Sequence, residues 1–156
     1  MDLILWRHAE AEDLVLGMDD LARRLTPKGR KQANKMGTWL DSMLPEGCRI
    51  LVSPSIRTIE TVQALGRKYK VMDELAPEAQ PEHILAASNW PESRDPVLIV
   101  GHQPGLGQAA SLIIQPFQPQ CAIRKGSVWW ISQKQHAAEG LKTYLKTIVA
   151  PDLLPR

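Results

Sequence analysis

Cysteine is scarce in this chain, and the two cysteines present do not form a recognisable framework. Cys48 and Cys121 lie far apart, and neither belongs to a Cys-x-x-Cys pair. A disulfide-rich secreted domain and a zinc site built on clustered cysteine and histidine are therefore both disfavoured. We expect two reduced thiols, a cytoplasmic protein, no metal and no other cofactor.

Long apolar runs and strong charge of one sign are lacking as well. No apolar stretch approaches the length of a membrane span. The N-terminus lacks the basic and then apolar order of a cleaved leader. The formal net charge is only +2, and the lysines and arginines are dispersed along the sequence rather than forming a stripe. We therefore expect neither a membrane nor a nucleic acid as a partner.

The composition that remains is that of an ordinary globular protein. The chain has 156 residues, of which 44% are hydrophobic and 23% charged, and this length suits one hydrophobic core. It contains no internal repeat, low-complexity segment or linker. We expect residues 1–156 to form a single domain without an inserted cap subdomain.

Short apolar runs alternate with amphipathic stretches along most of the chain. The runs predict strands at residues 2–6, 50–53, 71–72 and 97–101. Helices are expected after Thr26, from Pro54, from Pro81 and over residues 106–114. Strand-like segments at 127–131 and 143–149 predict a hairpin at one sheet edge. The fold class is therefore α/β, a three-layer helix-sheet-helix sandwich with a mostly parallel central sheet.

The first predicted helix has the clearest local signals. Thr26 suits the N-cap position and Pro27 the first helical position. Apolar residues then recur at steps of three and four, which predicts one buried face formed by Ala33, Met36, Trp39, Leu40 and Met43.

Residues capable of chemistry follow three of the predicted strands. Arg7 and His8 follow the first, Arg57 comes shortly after the second, and His102 follows Gly101 at the end of the fourth. Open α/β sheets bind ligands just beyond the carboxyl ends of their strands. A neutral histidine can attack a phosphorus atom if its other ring nitrogen is held by an acceptor, and arginine forks neutralise the phosphate oxygens.

The helix expected after His102 adds a further source of positive charge. Its N-terminal N–H groups can face an anion, and His102 adds a cation if it is protonated. Gln103, at the start of this helix, is a further phosphate-binding candidate. The irregular residues 9–25 are expected to cover one side of this site.

Five strings, taken in order, resemble the motifs of the histidine phosphatase superfamily, which has the phosphoglycerate mutase-like fold: LWRHAEA, RRLTPKGRKQA, LVSPSIRTIET, MDELAP and VLIVGHQPGLGQ. The short length and the RRLTPKG string are most similar to SixA-type phosphohistidine phosphatases. The resemblance implies that His8 is the nucleophile and that Arg7, Arg57 and His102 bind the phosphoryl group. It also implies that Glu74 lies where larger members keep a proton donor.

Two residues depart from the family pattern without removing a reacting group. Ala9 stands where the family has glycine, and it would be strained if the position needed a positive φ. Trp6 is a bulky residue before Arg7, and we expect it to pack beneath the end of the sheet.

Several residues also have ordinary structural interpretations. Glu74 can be a turn residue, and Arg23 with Arg24 can be a surface pair rather than the rim of a site. Trp129 and Trp130 point to opposite faces of a strand, so core packing is the default for them.

The predicted activity is that of a metal-independent phosphatase with a covalent phosphohistidine intermediate. The preferred substrate is a phosphohistidine residue on a protein, because a short chain leaves few residues to enclose a small molecule. Two alternatives stay open: a phosphomonoesterase for a small phosphorylated metabolite, and a phosphate-binding module without turnover.

Overall fold

The structure, a computed structural model, describes residues 1–114 and 121–155. It contains one six-stranded sheet, formed by β1 (Asp2–Arg7), β2 (Arg49–Val52), β3 (Lys70–Val71), β4 (Val97–Gly101), β5 (Val128–His136) and β6 (Gly140–Val149). The strand order is β3-β2-β4-β1-β5-β6. The first four strands run parallel, whereas β5 is antiparallel to both β1 and β6. This confirms the α/β class and the edge hairpin.

The described residues also form four α-helices, namely α1 (Pro27–Met43), α2 (Ile56–Gln63), α3 (Pro81–Ala87) and α4 (Gly105–Ile114). Short 3-10 segments cover Asp20–Ala22, Asp73–Leu75 and Pro151–Leu153. Thr26 caps α1 as predicted, since its side chain accepts a hydrogen bond from the backbone N–H of Gly29. Helix α2 begins two residues later than expected because Ser55, rather than Pro54, precedes it and caps the N–H of Thr58. None of the described helices is long and apolar enough to cross a membrane.

Successive residues of β1 supply two separate hydrophobic clusters, one on each face of the sheet. Ile4 and Trp6 pack with Met36 and Leu40 of α1. Leu3 and Leu5 belong to a second cluster that includes residues of α3 and α4. Because strand side chains alternate between faces, this division produces the predicted three-layer sandwich. Trp130 and Trp129 likewise belong to different clusters.

The predicted buried face of α1 is correct except at its end. Ala33, Met36 and Leu40 are buried and Trp39 is partly buried, but Met43 is 51% exposed, and the next residue, Leu44, packs into the core in its place. Gly29 has a special role on this face, since a Cβ there would overlap the carbonyl oxygen of Glu10. The glycine thus allows α1 to lie directly against the segment that follows β1.

Candidate active site

The carboxyl ends of the neighbouring strands β2, β4 and β1 bring Ser53, His102 and His8 together. The backbone N–H of His8 donates to Gly101 O at 3.1 Å, and that of Ser53 donates to Val100 O at 3.1 Å. The ring centroids of His8 and His102 are 5.3 Å apart. The three strand ends therefore meet at one place, as expected for an α/β sheet.

His8 is buried and has a defined tautomer. Its Nδ1 lies 2.7 Å from the carbonyl oxygen of Ala9. A carbonyl oxygen only accepts, so Nδ1 carries the proton, and in the neutral ring Nε2 has a free lone pair. The side chain is held in the form that a nucleophile requires.

The pKa of His8 is lowered to about 3, chiefly by burial and also by the charges of Arg57, Arg7 and Arg23, while the hydrogen bond to Ala9 acts in the opposite direction. The imidazole is therefore neutral at physiological pH. The arginines near His8 can attract an anion, while the neutral ring keeps its own lone pair available.

Arg7 comes directly before His8 and is anchored on one side only. Its Nη1 donates to the carbonyl oxygen of Ile123 at 2.9 Å. Its Nε is buried and has no partner among the described residues. Burial and, to a smaller extent, the positive charge of Arg57 lower the pKa of this guanidinium. Arg7 and Arg57 are thus two neighbouring cations without enough anions to neutralise both.

Arg57, in the first turn of α2, is 4% exposed and contacts the segment between β1 and α1. Its Nη1 donates to Asp20 O at 2.8 Å, and its Nη2 donates to Asp20 Oδ2 at 3.0 Å. Its Nε is buried without a partner among the described residues. Of the five guanidinium donors, Asp20 uses two, and the Nε edge stays open for a ligand.

His102 lies across from His8 and is also neutral. Its Nε2 is 2.7 Å from the hydroxyl of Ser53, and its buried Nδ1 has no partner among the described residues. The pKa of His102 is lowered to about 3, chiefly by burial and also by the proximity of His8 and Arg57. His102 is therefore not a cation at neutral pH in this structure, although a phosphate beside it would favour its protonation.

Three unsatisfied donors or acceptors thus surround His8: Nε of Arg7, Nε of Arg57 and Nδ1 of His102. Buried polar atoms are normally hydrogen-bonded, and an unpartnered one costs about 1–3 kcal/mol. Three such atoms around one neutral histidine need a common explanation. A tetrahedral anion with several acceptor oxygens would satisfy both Nε donors, and Nδ1 of His102 as well when that atom carries a proton.

Gln103, unlike these three residues, has no unsatisfied side-chain atom. Its Oε1 accepts from the N–H of Gly107 at 2.7 Å, and its Nε2 donates to Cys121 O at 2.8 Å. The side chain caps α4 and fastens it to the segment at Cys121, so these contacts disfavour a phosphate-binding role. The N–H groups of Leu106 and Gly107 are likewise already bonded, so the expected supply of free donors at this helix start is smaller than predicted.

Glu74 lies in the 3-10 segment after β3, and its side chain is exposed. Its neighbours Leu75 and Ala76 line a small cavity together with His102. No hydrogen bond or ion pair among the described residues joins Glu74 to either histidine. The segment of Glu74 therefore lies near His102, but no contact assigns a role to its carboxylate.

Both departures from the expected pattern are accommodated. Ala9 is fully buried, and it does not have a positive φ, a conformation found among the described non-glycine residues only at Asn89. Its N–H donates to the hydroxyl of Thr61 at 3.1 Å, and that hydroxyl donates to Arg57 O at 2.7 Å. Trp6 is fully buried as predicted, and its Nε1 donates to Gly126 O.

The sequence did not single out Asp20 or Thr61. Asp20 bridges Arg57 and Arg23, whose Nη1 is 3.1 Å from Asp20 Oδ1. Partial burial raises the pKa of the Asp20 carboxyl, but the hydrogen bonds from Arg23 and Arg57 outweigh it and leave the pKa below its ordinary value. Nothing in the local sequence marks this acid, whereas Thr61 stands one turn after Arg57 and could have been found from helical spacing.

This chain resembles known proteins in sequence and in fold. A family model, described as the histidine phosphatase superfamily (branch 1), matches residues 3–81. The chain belongs to the histidine phosphatase superfamily. The matched segment contains Arg7, His8, Arg57 and Glu74, while His102 lies beyond it. A comparison with curated proteins finds no match.

Solved structures resemble this member of the superfamily over nearly its whole length. One is described as phosphohistidine phosphatase SixA from Agrobacterium tumefaciens, with a TM-score of 0.79, 21% identity and coverage of 96% of this chain and 97% of that one. A SixA from Nakamurella multipartitia has a TM-score of 0.69, 27% identity and coverage of 96% and 95%. A SixA complexed with tungstate has a TM-score of 0.74, 21% identity and coverage of 98% and 99%. The fold is therefore the phosphoglycerate mutase-like fold of the SixA proteins.

Proposed function

We propose that this protein is a phosphatase that acts through a covalent phosphohistidine intermediate at His8. The observation that carries the proposal is the environment of His8: a buried neutral ring with a free Nε2, surrounded by unpartnered polar atoms of Arg7, Arg57 and His102. Membership of the histidine phosphatase superfamily supports phosphatase activity.

Two displacements make up the reaction. In the first, Nε2 of His8 attacks phosphorus, a P–N bond forms, and the bond from phosphorus to the leaving group breaks. In the second, water attacks the phosphohistidine, inorganic phosphate is released, and the imidazole returns to its neutral form. Arg7 and Arg57 neutralise the charge on the phosphoryl oxygens, which is the main contribution a protein makes to this kind of transfer.

His102 has a distinct place in this scheme. Its Nδ1 is unpartnered and its Nε2 contacts Ser53. A phosphate dianion beside it would raise the pKa of the ring, so that substrate binding itself would bring a proton to His102. The histidine would then donate a hydrogen bond to the phosphoryl group only when that group is present.

The preferred substrate in this proposal is a phosphohistidine residue on a protein. Imidazole is a good leaving group once it is protonated, because its pKa is about 6.5, so the reaction does not depend on a well-placed acid. The exposed position of Glu74 fits such a reaction. Similarity to structures described as SixA supports the same substrate class. We further propose that residues 1–156 act as one catalytic domain in the cytoplasm without a metal ion.

The test is a comparison of kcat/KM for a phosphohistidine peptide and for a panel of small phosphoesters, all in excess EDTA. The proposal predicts turnover of the peptide with clear preference over the esters. A clear preference for one small ester would favour a metabolite phosphatase, and loss of activity on chelation would contradict the metal-independent scheme. Phosphate binding without turnover of any substrate would support a non-catalytic module.

A further inference from the structure

A second concave region lies beside the catalytic one and has no part in the proposed chemistry. It is a groove of about 790 Å³ between α1 and two short segments, at residues 124–127 and 151–152. We call it the basic groove; its lining is Lys28, Lys31, Gln32, Asn34, Lys35, Arg124, Lys125, Ser127, Pro151 and Asp152.

The charge of the basic groove is nearly all of one sign. Three lysines of α1 stand at spacings of three and four residues, which places them along one helix face, and Arg124 with Lys125 supplies the opposite side. The one carboxylate of the lining, Asp152, is 4.0 Å from Arg124. Because the formal net charge of the whole chain is only +2, the rest of the chain carries a net negative charge. The fold thus gathers cations that are dispersed in the sequence.

One buried polar atom of the groove also lacks a partner. Ser127 is 2% exposed, lines the groove, and its hydroxyl makes no hydrogen bond within the described residues. A buried hydroxyl normally has a partner, and an absent one calls for an explanation. A ligand with acceptor oxygens that lies in the groove would provide it.

The basic groove is attached to the backbone of the catalytic pair. The N–H of Gly126 donates to Arg7 O at 3.2 Å and to His8 O at 3.0 Å. On the other side, Oε1 of Gln32 accepts from the N–H of Glu10 at 2.9 Å. Gln32, which lines the groove, and Gly126, which lies between two lining residues, therefore both contact the segment that carries His8, and the groove is next to that segment.

We propose that the basic groove binds an acidic segment of the phosphoprotein whose phosphohistidine occupies the site at His8; this rests on the proposed function. The three lysines of α1 extend from residue 28 to residue 35, roughly 10 Å along a helix. That length is larger than a single phosphate group and corresponds to about three residues of extended chain. A row of carboxylates fits the row of ammonium groups better than one compact anion does, and such contacts select partners and orient them.

Direct binding tests the groove independently of catalysis. The probes are fluorescein-labelled, unphosphorylated histidine peptides, in which the histidine is flanked by four glutamates or by four glutamines, on the N-terminal or the C-terminal side. Fluorescence anisotropy should show that the protein binds one glutamate peptide about tenfold more tightly than its glutamine counterpart at low salt. The preference should shrink as salt is added, because exposed charges are screened.

Two charge-reversal variants separate the groove from the net charge. Lys31→Glu/Lys35→Glu should abolish the preference for glutamate peptides. Lys134→Glu/Lys142→Glu changes the net charge equally, but its residues are cross-strand partners in the β5–β6 hairpin, beyond the amino end of β1 and away from His8. This control should keep most of the preference. Ser127→Ala should weaken binding of the glutamate peptide a few-fold and leave the glutamine peptide unaffected.

The phosphorylated forms of the same peptides then link binding to turnover. In the wild type, glutamate flanks should lower KM with little change in kcat, and the Lys31→Glu/Lys35→Glu variant should lose that advantage while it hydrolyses the glutamine peptide normally. Equal affinity of the wild type for all four peptides, or an equal loss in both reversal variants, would overturn the proposal. A protein that prefers the glutamate peptide yet hydrolyses no phosphohistidine would instead refute the proposed function, and with it the assignment of a phosphoprotein to the groove.

Discussion

Both terminal nitrogens of Arg57 donate hydrogen bonds to Asp20, one to its backbone oxygen at 2.8 Å and one to its carboxylate at 3.0 Å. A buried arginine at the proposed phosphate site is therefore already paired with an anion of the protein itself. The pairing offsets the cost of burying Arg57 without a ligand. It also places a negative charge next to the guanidinium that we propose to bind phosphate.

Asp20→Asn should therefore strengthen the binding of inorganic phosphate or vanadate. The amide keeps a hydrogen-bond acceptor for Arg57 but removes the charge that repels the ligand. The inhibition constant of vanadate should fall several-fold, measured from the hydrolysis of a small phosphoester. Asp19→Asn is the matched control, since Asp19 caps the same 3-10 segment without touching Arg57. Weaker vanadate binding in Asp20→Asn alone would mean that the carboxylate positions Arg57 and does not compete with the ligand.

Protein stability should fall as the solution becomes acidic. The pKa values of His8 and His102 are about 3 in the folded protein, against an ordinary value of 6.5. The unfolded chain therefore binds more protons below pH 6.5, and the stability present above that pH is lost as the pH falls toward 3. Each histidine contributes a slope of up to about 1.4 kcal/mol per pH unit.

Urea unfolding between pH 7 and pH 4 measures this dependence. His102→Gln should reduce the slope of the free energy of unfolding against pH, because one buried neutral imidazole is gone. His136→Gln, which changes an exposed histidine of the hairpin, is the matched control for the loss of one histidine. An unchanged slope in His102→Gln would show that His102 is not held neutral by the fold.

Arg57→Lys should cause a large loss of activity even though the charge is kept. Lysine lacks the planar fork, so its single ammonium nitrogen cannot reproduce the two contacts to Asp20 and also present a second nitrogen to a phosphoryl oxygen. We expect a fall in kcat/KM that corresponds to a loss of about 2–4 kcal/mol of transition-state stabilisation, the range found when one preorganised donor is removed. Arg94→Lys, at an exposed position, is the control. Activity close to that of the wild type in Arg57→Lys would show that charge alone is sufficient.

Glu74→Gln should affect substrates according to their leaving groups. Protonated imidazole leaves without help, whereas an alkoxide leaves badly unless an acid protonates it. The variant should therefore retain phosphohistidine hydrolysis and lose most of any activity on an alkyl phosphoester. The measurement is the ratio of the two losses in kcat/KM. Equal losses would give Glu74 a structural or binding role in place of that of an acid.

Local sequence was sufficient to predict the strand ends and the residues that follow them. Apolar runs mark β1, β2 and β4, and the residues just beyond a parallel strand must lie at one edge of the sheet, so Arg7, His8 and His102 could be placed together in advance. The N-cap of α1 at Thr26 is equally local. These features need only a few neighbouring residues to define them.

Features that depend on distant parts of the chain could not be found in this way. Asp20 meets Arg57 across 37 positions of sequence, in a segment without regular periodicity. The neutral state of His102 results from burial, which the fold alone determines. Gln103 was assigned to the ligand from its position beside His102, but its side chain instead bonds to Gly107 and Cys121. Local sequence does not predict the basic groove for a similar reason, because its cations come from α1 and from a segment near residue 125.

The most direct test of this account is to trap the phosphorylated enzyme. The protein is mixed with a radiolabelled phosphohistidine peptide, quenched in alkali within milliseconds because P–N bonds are labile in acid, and mapped by mass spectrometry under neutral conditions. His83→Ala, which removes an exposed histidine, is the control and should incorporate the labelled phosphoryl group to the same extent as the wild type. We predict one phosphoryl group per chain, on His8, and neither labelling nor turnover in a folded His8→Ala variant. Wild-type turnover by His8→Ala, or a phosphoryl group on a residue other than His8, would contradict the account.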